Sequence, residues 1–259
     1  MQRHDKIIQS LYTERYFYNK TAYTYLLLLN KQSGGYVSVR DLAQLTPENP
    51  TKLKTIGDKN IYDMFPSITD VDKDELMINK IGLYSMTKPE AAERILNVLY
   101  TYIDTQRCTM INATCGIGGD LINMCSHFKK TYGYEISSMQ FTILENNVKV
   151  YGFNDLVELF NDDYTKHVNR EKCDVVMIDP PWGGLDYKKL KFNDTMMGPY
   201  TMDELVDKIF DGDGASLIVL KLPKNQDMRK LWPKNPKVHK IDNYQLVIFK
   251  KNNLVVPSE

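Results

Sequence analysis

From about residue 76 onward, short apolar runs alternate with helical patterns, and this alternation constrains the fold more than any other feature of the chain. Strands are predicted over Cys108 to Thr114, Thr131 to Glu135, Val157 to Phe160, Asp174 to Asp179 and Ala215 to Leu222. Helices are predicted from Thr87 to about Tyr102, where Pro89 and Glu90 mark the start, and over Asp120 to Phe128, Ser137 to Tyr151 and Thr201 to Phe210. Val238 to Ile241 and Gln245 to Lys250 close the chain as an antiparallel pair. Strands that alternate with helices form a parallel sheet covered on both faces. The expectation is an α/β fold with a mostly parallel seven-stranded sheet. Ligands of such sheets bind outside the carboxyl ends of the strands, near the switch in strand order.

Residues 1 to 75 have another character. Asp5 to Lys31 reads as a long helix rich in Tyr and Leu, stopped by Gly34-Gly35, and a short helix spans roughly Val39 to Leu45. Thr46-Pro-Glu-Asn-Pro50 is a turn, and residues 51 to 75 read as polar and irregular. We therefore expect a helical N-terminal extension over 1–75 and a second domain over 76–259.

The chain has 33 Lys plus Arg and 33 Asp plus Glu, a net charge of +0. That balance excludes a protein that coats long nucleic acid by charge alone, and leaves room for a short ligand held by a local patch. Cys108, Cys115, Cys125 and Cys173 show no CxxC spacing and read as reduced, mostly buried thiols. Four His, none at ligand spacing to a Cys, argue against a metal site. The opening MQRHDKIIQS has no signal-peptide pattern, and the apolar run Tyr25 to Leu29 is too short to span a bilayer. A soluble intracellular protein is expected, in nucleus or cytoplasm.

Four features fall at the carboxyl ends of successive predicted strands. Asn112-Ala-Thr-Cys-Gly-Ile-Gly-Gly-Asp120 is a glycine loop between strand and helix, with Leu121 where a dinucleotide fingerprint would place its third glycine. It suits a ligand without a pyrophosphate better than a nicotinamide dinucleotide. Glu135 ends the next strand, where an acid can accept both hydroxyls of a ribose. Asp162-Asp163-Tyr164 follows the third strand; a carboxylate there can accept from an adenine amino group, and the aromatic ring can cover a purine face. Each of these three also reads as an ordinary turn or helix-leading acid.

The fourth, Asp179-Pro-Pro-Trp-Gly-Gly184, is the most specific. An exocyclic amine on a nucleobase is a poor nucleophile because its lone pair is spread into the ring. A carboxylate and a backbone carbonyl that both accept from that amine pull its nitrogen toward a tetrahedral shape and aim the lone pair at a sulfonium methyl. Two prolines stiffen the loop and fix the carbonyl of Pro180, and Trp182 offers a flat stacking platform. The alternative is a Pro-rich turn with a core Trp.

The glycine loop, the acid and the DPPW motif, in that order, resemble class I S-adenosylmethionine-dependent (AdoMet) methyltransferases of amines, with their Rossmann-like sheet. Within that class LYSMTKPE (83–90), ATCGIGG (113–119), DPPWGGLDY (179–187) and Thr195-Met196-Met197 resemble the trimethylguanosine synthases, over about residues 76 to 259. The resemblance implies S-adenosyl-L-methionine as cofactor, capped RNA as partner, and methylation of the guanine N2 amine of an N7-methylguanosine cap. It implies AdoMet contacts from Asn112, Thr114, Cys115, Gly116, Gly118, Glu135, Asp163, Tyr164 and Asp179, with Tyr84 and Thr87 closing over it. Asp179, Pro180 and Trp182 would carry the reaction, Trp182 stacking on the cationic base. Separately, two locally basic stretches, one with Lys188 and one with Lys221 and Arg229, read either as solvated surface or as patches, either of which could hold the triphosphate bridge. No membrane and no metal are implied. The chain departs from the family at Asn112, commonly Asp, and at Asp179, often Ser. Two other readings stand beside this one: an adenine-N6 methyltransferase acting on DNA or RNA, and a cap-binding module without catalysis.

Overall fold

The computed structural model describes residues 50–56 and 59–251. The helices expected over Asp5 to Lys31 and Val39 to Leu45 lie outside the described residues. Seven strands form the main sheet: β1 (Thr109–Asn112), β2 (Lys130–Tyr134), β3 (Val157–Phe160), β4 (Val175–Ile178), β5 (Leu217–Pro223), β6 (Lys237–Ile241) and β7 (Tyr244–Lys250). Their spatial order is β6-β7-β5-β4-β1-β2-β3. Strands β1 to β5 are parallel, and β7 runs antiparallel between β5 and β6. The expected mostly parallel seven-stranded sheet is present, with element ends shifted by a few residues.

Helices α1 (Lys80–Ser85), α2 (Pro89–Leu99), α3 (Gly119–Met124), α4 (Ser138–Val150) and α5 (Met202–Asp211) surround it. Period-two alternation decides which face each covers. In β4, Val176 and Ile178 pack with Leu205 and Ile209 of α5, whereas Val175 and Met177 pack with Ile95 and Leu99 of α2. In β5, Ile218, Leu220 and Leu222 join the first layer, and Leu217 and Val219 the second. Both faces being buried, these strands are apolar at every position except Lys221 of β5, which is why they read as nearly unbroken apolar runs. Ser137 caps α4 by accepting from Gln140 N–H, and Thr201 with Glu204 forms a capping box on α5.

The segment 51–75 corrects the sequence reading. Thr51–Lys52 pairs antiparallel with Met77–Ile78. Leu53, Ile56, Ile61, Met64 and Phe65 are buried in one cluster with Leu121 of α3 and Ile143 and Leu144 of α4. This segment covers an apolar side of α3 and α4, so the many polar residues between its hydrophobic anchors had concealed a packed element. Asn147 of α4 fastens it. The side chain is fully buried; its Oδ1 accepts from Met77 N–H (2.8 Å), and its Nδ2 donates to Met77 O (2.9 Å) and to Ile117 O (3.2 Å) in the glycine loop.

Replacing Asn147 by Leu leaves those backbone groups buried without partners, each worth about 1–3 kcal/mol. We expect Asn147→Leu to cost roughly 3–5 kcal/mol in urea unfolding; a loss below about 1 kcal/mol would show that the segment docks by apolar contact alone.

Candidate active site

The chain runs from β1 outward through β2 to β3, then returns to β4 on the other side of β1. This is the switch point at which α/β sheets bind ligands, and the glycine loop leaves from it. Gly116 has φ +56°, has open space where a Cβ would stand, and donates its N–H to Glu135 Oε2 (2.7 Å). Gly118 takes the left-handed conformation at the N-cap of α3. A Cβ on Gly119 would lie 2.7 Å from Thr87 N and 2.9 Å from Thr87 O, so only glycine lets the Met86–Thr87 backbone cross the loop. Tyr84, half-buried at the end of α1, arrives with the same segment, its phenol pushed up by burial.

Glu135 is 8% exposed, and its carboxylate accepts from Gly116 N–H and from Ser137 N–H (2.8 Å). Burial pushes its pKa up, and the two backbone donors oppose that. Asn112 Oδ1 accepts from Thr114 N–H (3.2 Å), while its buried Nδ2 has no partner among the described residues. Thr114 Oγ1 accepts from Asp179 N–H (2.8 Å), tying the loop after β1 to the loop after β4. The Cys115 side chain turns into the core, its Sγ 3.4 Å from Asn112 O, and burial pushes the thiol well up. Its N–H is spent on Tyr134 O, so Cys115 offers a ligand little. Asp163 Oδ1 accepts from Thr165 N–H and Oγ1–H, capping a short 3-10 turn.

Tyr164 corrects the sequence reading. It is 2% exposed, with its ring edge-on to Tyr134 at 5.4 Å, beneath the sheet surface. The turn capped by Asp163 sends the next side chain back toward the core, where it cannot cover a purine. Sequence reasoning missed Ile136, 68% exposed immediately after Glu135. Its signal was an apolar residue after a strand-end acid that neither strand nor helix pattern needs.

At the end of β4, Pro180 is buried and Asp179 Oδ2 accepts from Lys221 Nζ (2.6 Å). Trp182 is half-buried. Its Nε1 donates to Lys221 O (3.2 Å), its carbonyl accepts from Asn193 Nδ2 (3.0 Å), and Tyr187 meets its ring edge-on at 5.2 Å. The indole is thereby held in one orientation.

Lys221 is a second correction. It is 5% exposed and cannot grip phosphate from the surface. Leu217, Val219 and Lys221 share the face of β5 that looks toward α2, so the lysine stem follows a core register. Its Nζ reaches Thr87 Oγ1 (2.6 Å) and Asp179, stands 3.7 Å from Asp120 Oδ2, and lies over the Tyr244 ring at 5.3 Å. Burial pushes the ammonium down, but Asp120 and Asp179 outweigh that and push it up. Burial and, after it, Asp120 push the Asp179 carboxyl up against the pull of Lys221, to about 6 in all.

Arg229 is exposed but paired with Asp227, Lys230 with Asp194, and Lys234 with Asp207. The basic stretch is thus largely neutralised by its own acids. Lys188 is exposed, over the Tyr187 ring, and Lys224 is exposed with no ion pair among the described residues. Among the described residues no cluster of three or more His, Cys, Asp or Glu could hold a metal, and no helix is long and apolar enough to cross a membrane.

A family model described as RNA cap guanine-N2 methyltransferase matches residues 107–256. An uncharacterised protein of Acanthamoeba polyphaga mimivirus is 24% identical over 205 residues, 68% of this chain and 80% of that one. Trimethylguanosine synthase of Saccharomyces cerevisiae is 24% identical over 129 residues, 47% of this chain and 40% of the yeast protein. Among solved structures, a candidate methyltransferase from Porphyromonas gingivalis W83 aligns with a TM-score of 0.52 at 14% identity, over 71% of this chain and 46% of that one; it shares the fold.

Since Tyr164 lies in the core, Tyr164→Leu, which removes the ring, should leave the affinity for S-adenosylhomocysteine within about twofold of the parent protein by calorimetry, a change below ~0.5 kcal/mol. A loss of about tenfold would restore Tyr164 as a ligand contact.

Proposed function

We propose that this chain, which belongs to the RNA cap guanine-N2 methyltransferase family, methylates the exocyclic N2 amine of an N7-methylguanosine cap with S-adenosylmethionine as donor. The observation that carries this reading is the fixed Asp179–Pro180–Trp182 loop beside the glycine loop at the switch point. Bound S-adenosylmethionine supplies an electrophilic methyl group on a sulfonium.

The residues present fit that cofactor. Glu135 keeps lone pairs for ribose hydroxyls beyond its two backbone donors. Ile136 offers an exposed apolar face for the adenine ring, and Asp163 a carboxylate oxygen for the adenine amino group. Asn112 Nδ2 and Asp120 Oδ1 are buried polar atoms without partners among the described residues, a donor and an acceptor suited to the carboxylate and ammonium of a methionine moiety.

On the substrate side, the Trp182 ring stacks on the base, whose positive charge adds a cation–π attraction. Asp179 and the Pro180 carbonyl accept from the amine, sharpening its lone pair. A carboxyl pushed up to about 6 also takes the proton that the amine sheds as its new N–C bond forms. The triphosphate would meet exposed cations, Lys188 and Lys224 among them, rather than the buried Lys221.

The test is incubation with labelled S-adenosylmethionine and either N7-methylguanosine triphosphate or GTP, with products resolved by mass. Transfer to the N7-methylated cap alone is expected. Transfer to neither, with an adenine oligonucleotide accepting the label, would overturn the reading in favour of adenine-N6 chemistry. Trp182→Ala should weaken cap-analogue binding by about 1–3 kcal/mol in fluorescence titration, and Ile136→Ala should weaken S-adenosylhomocysteine binding by about 1 kcal/mol. Unchanged affinities would remove those two roles.

A further inference from the structure

Among the described residues Lys221 is the only buried cation. Its register on β5 is one that leucine or valine fills elsewhere on the strand, and a buried charge there contributes little to stability that an apolar residue would not. Its value therefore lies in what it holds. Asp120 stands in the first turn of α3, Asp179 follows β4, and Thr87 precedes α2; the ammonium meets all three, at 3.7, 2.6 and 2.6 Å. Two hydrogen bonds, to Asp179 and Thr87, and the ion pair with Asp120 hold the ammonium between the three elements. The carboxylate of Asp179 is consequently fixed through Oδ2, and its side chain keeps 19% exposure for a substrate.

We propose that Lys221 is a positioning residue for methyl transfer: clamped by Asp120 and Thr87, it holds Asp179 as an ionised acceptor in one orientation, leaving the second carboxylate oxygen for the amine. The inference rests on the reaction proposed above. The groups that face the pair are Asp120 of α3, the indole N–H of Trp182, and Tyr244 of β7 beneath the ammonium, with the Arg94–Asp242 ion pair farther out. Of these, Lys221 pulls the Asp179 carboxyl down and Asp120 pushes it up.

The two variants that follow must therefore move Asp179 in opposite directions. Lys221→Met removes the cation and leaves burial and Asp120 unopposed; Asp120→Asn removes the competing acid. The Asp179 carboxyl is followed by 13C NMR in the full chain, assigned by its loss in Asp179→Asn. We expect its midpoint to rise by about 1–3 on the pH scale in Lys221→Met and to fall by about 1 in Asp120→Asn. In the cap-methylation assay the acid limb of kcat should follow the same midpoints. Lys221→Met should lower kcat by at least about tenfold, and Lys221→Arg should recover part of it.

Midpoints that stay put, or that move together, overturn the proposal, as does a kcat of Lys221→Met within about twofold of the parent, the result for a lysine that serves only as filler. If Lys221→Met does not fold, Lys221→Gln takes its place, and the rise of the Asp179 midpoint in that variant decides. The NMR midpoint needs no turnover, so absent cap methylation would overturn the proposed function, whereas absent opposed shifts would overturn the role of Lys221.

Discussion

The parallel pairing of β1 with β2 on one side and β4 on the other determines where every functional group stands. Asn112, the last residue of β1, is opposite Gly133 of β2 and Met177 of β4. Two residues further on, Thr114, Glu135 and Asp179 emerge level with one another above the sheet. On β5, Leu220 is opposite Ile178, so Lys221 emerges beside Asp179. Parallel strands in fixed register deliver their loops to one edge, and a one-residue slip in any of them would turn its side chain to the opposite face. The hydrogen bonds from Asp179 N–H to Thr114 Oγ1 and from Gly116 N–H to Glu135 lock the emerging loops to each other.

That geometry concentrates charge where water is scarce. Asp120, Glu135 and Lys221 are each under 9% exposed, and Asp179 stands beside them. Glu135 is satisfied by backbone N–H groups and needs no cation. Asp179 and Asp120 share Lys221, whose stem lies on a face otherwise occupied by Leu217 and Val219. A carboxylate held this way is neither a strong acid nor a permanently protonated one, and a group near that balance is suited to accept a proton at neutral pH.

The sheet and its carboxyl-end loops were legible in the sequence because doubly covered strands leave unbroken apolar runs and because glycines mark close approaches. Four things were not legible, for separate physical reasons. Lys221 lay within a run of lysines that reads as surface; the signal lay in strand register, since LIVLKLP places it two residues after Val219 on a buried face. Tyr164 followed an acid expected to face a ligand, but the cap made by Asp163 reverses the chain locally, a direction that spacing does not encode. Residues 51–75 read as polar because their anchors, Leu53, Ile56, Ile61, Met64 and Phe65, are separated by polar and charged residues across a two-residue strand, a single α-turn and short 3-10 turns, none long enough to show a period. The indole orientation of Trp182 depends on a carbonyl in β5, a contact across 39 residues that no local pattern announces.

The rest of the basic stretch gains a simpler account. Lys237 and Lys240 lie on β6, an edge strand, where exposed lysines discourage pairing with another chain. Arg229, Lys230 and Lys234 answer neighbouring acids. A protein with so few uncommitted cations near its site gains little from a long phosphate backbone, and its selectivity must come from the site itself. There, two carboxylates face one ammonium, a residual single negative charge in a sparsely hydrated setting. In the proposed reaction both bound reactants carry positive charge, one on the sulfonium and one on the N7-methylated base. Attraction at that depth is stronger than at the surface, so under the proposed function the unbalanced acid that burial makes costly for the empty protein would favour a cationic base over its neutral, unmethylated counterpart.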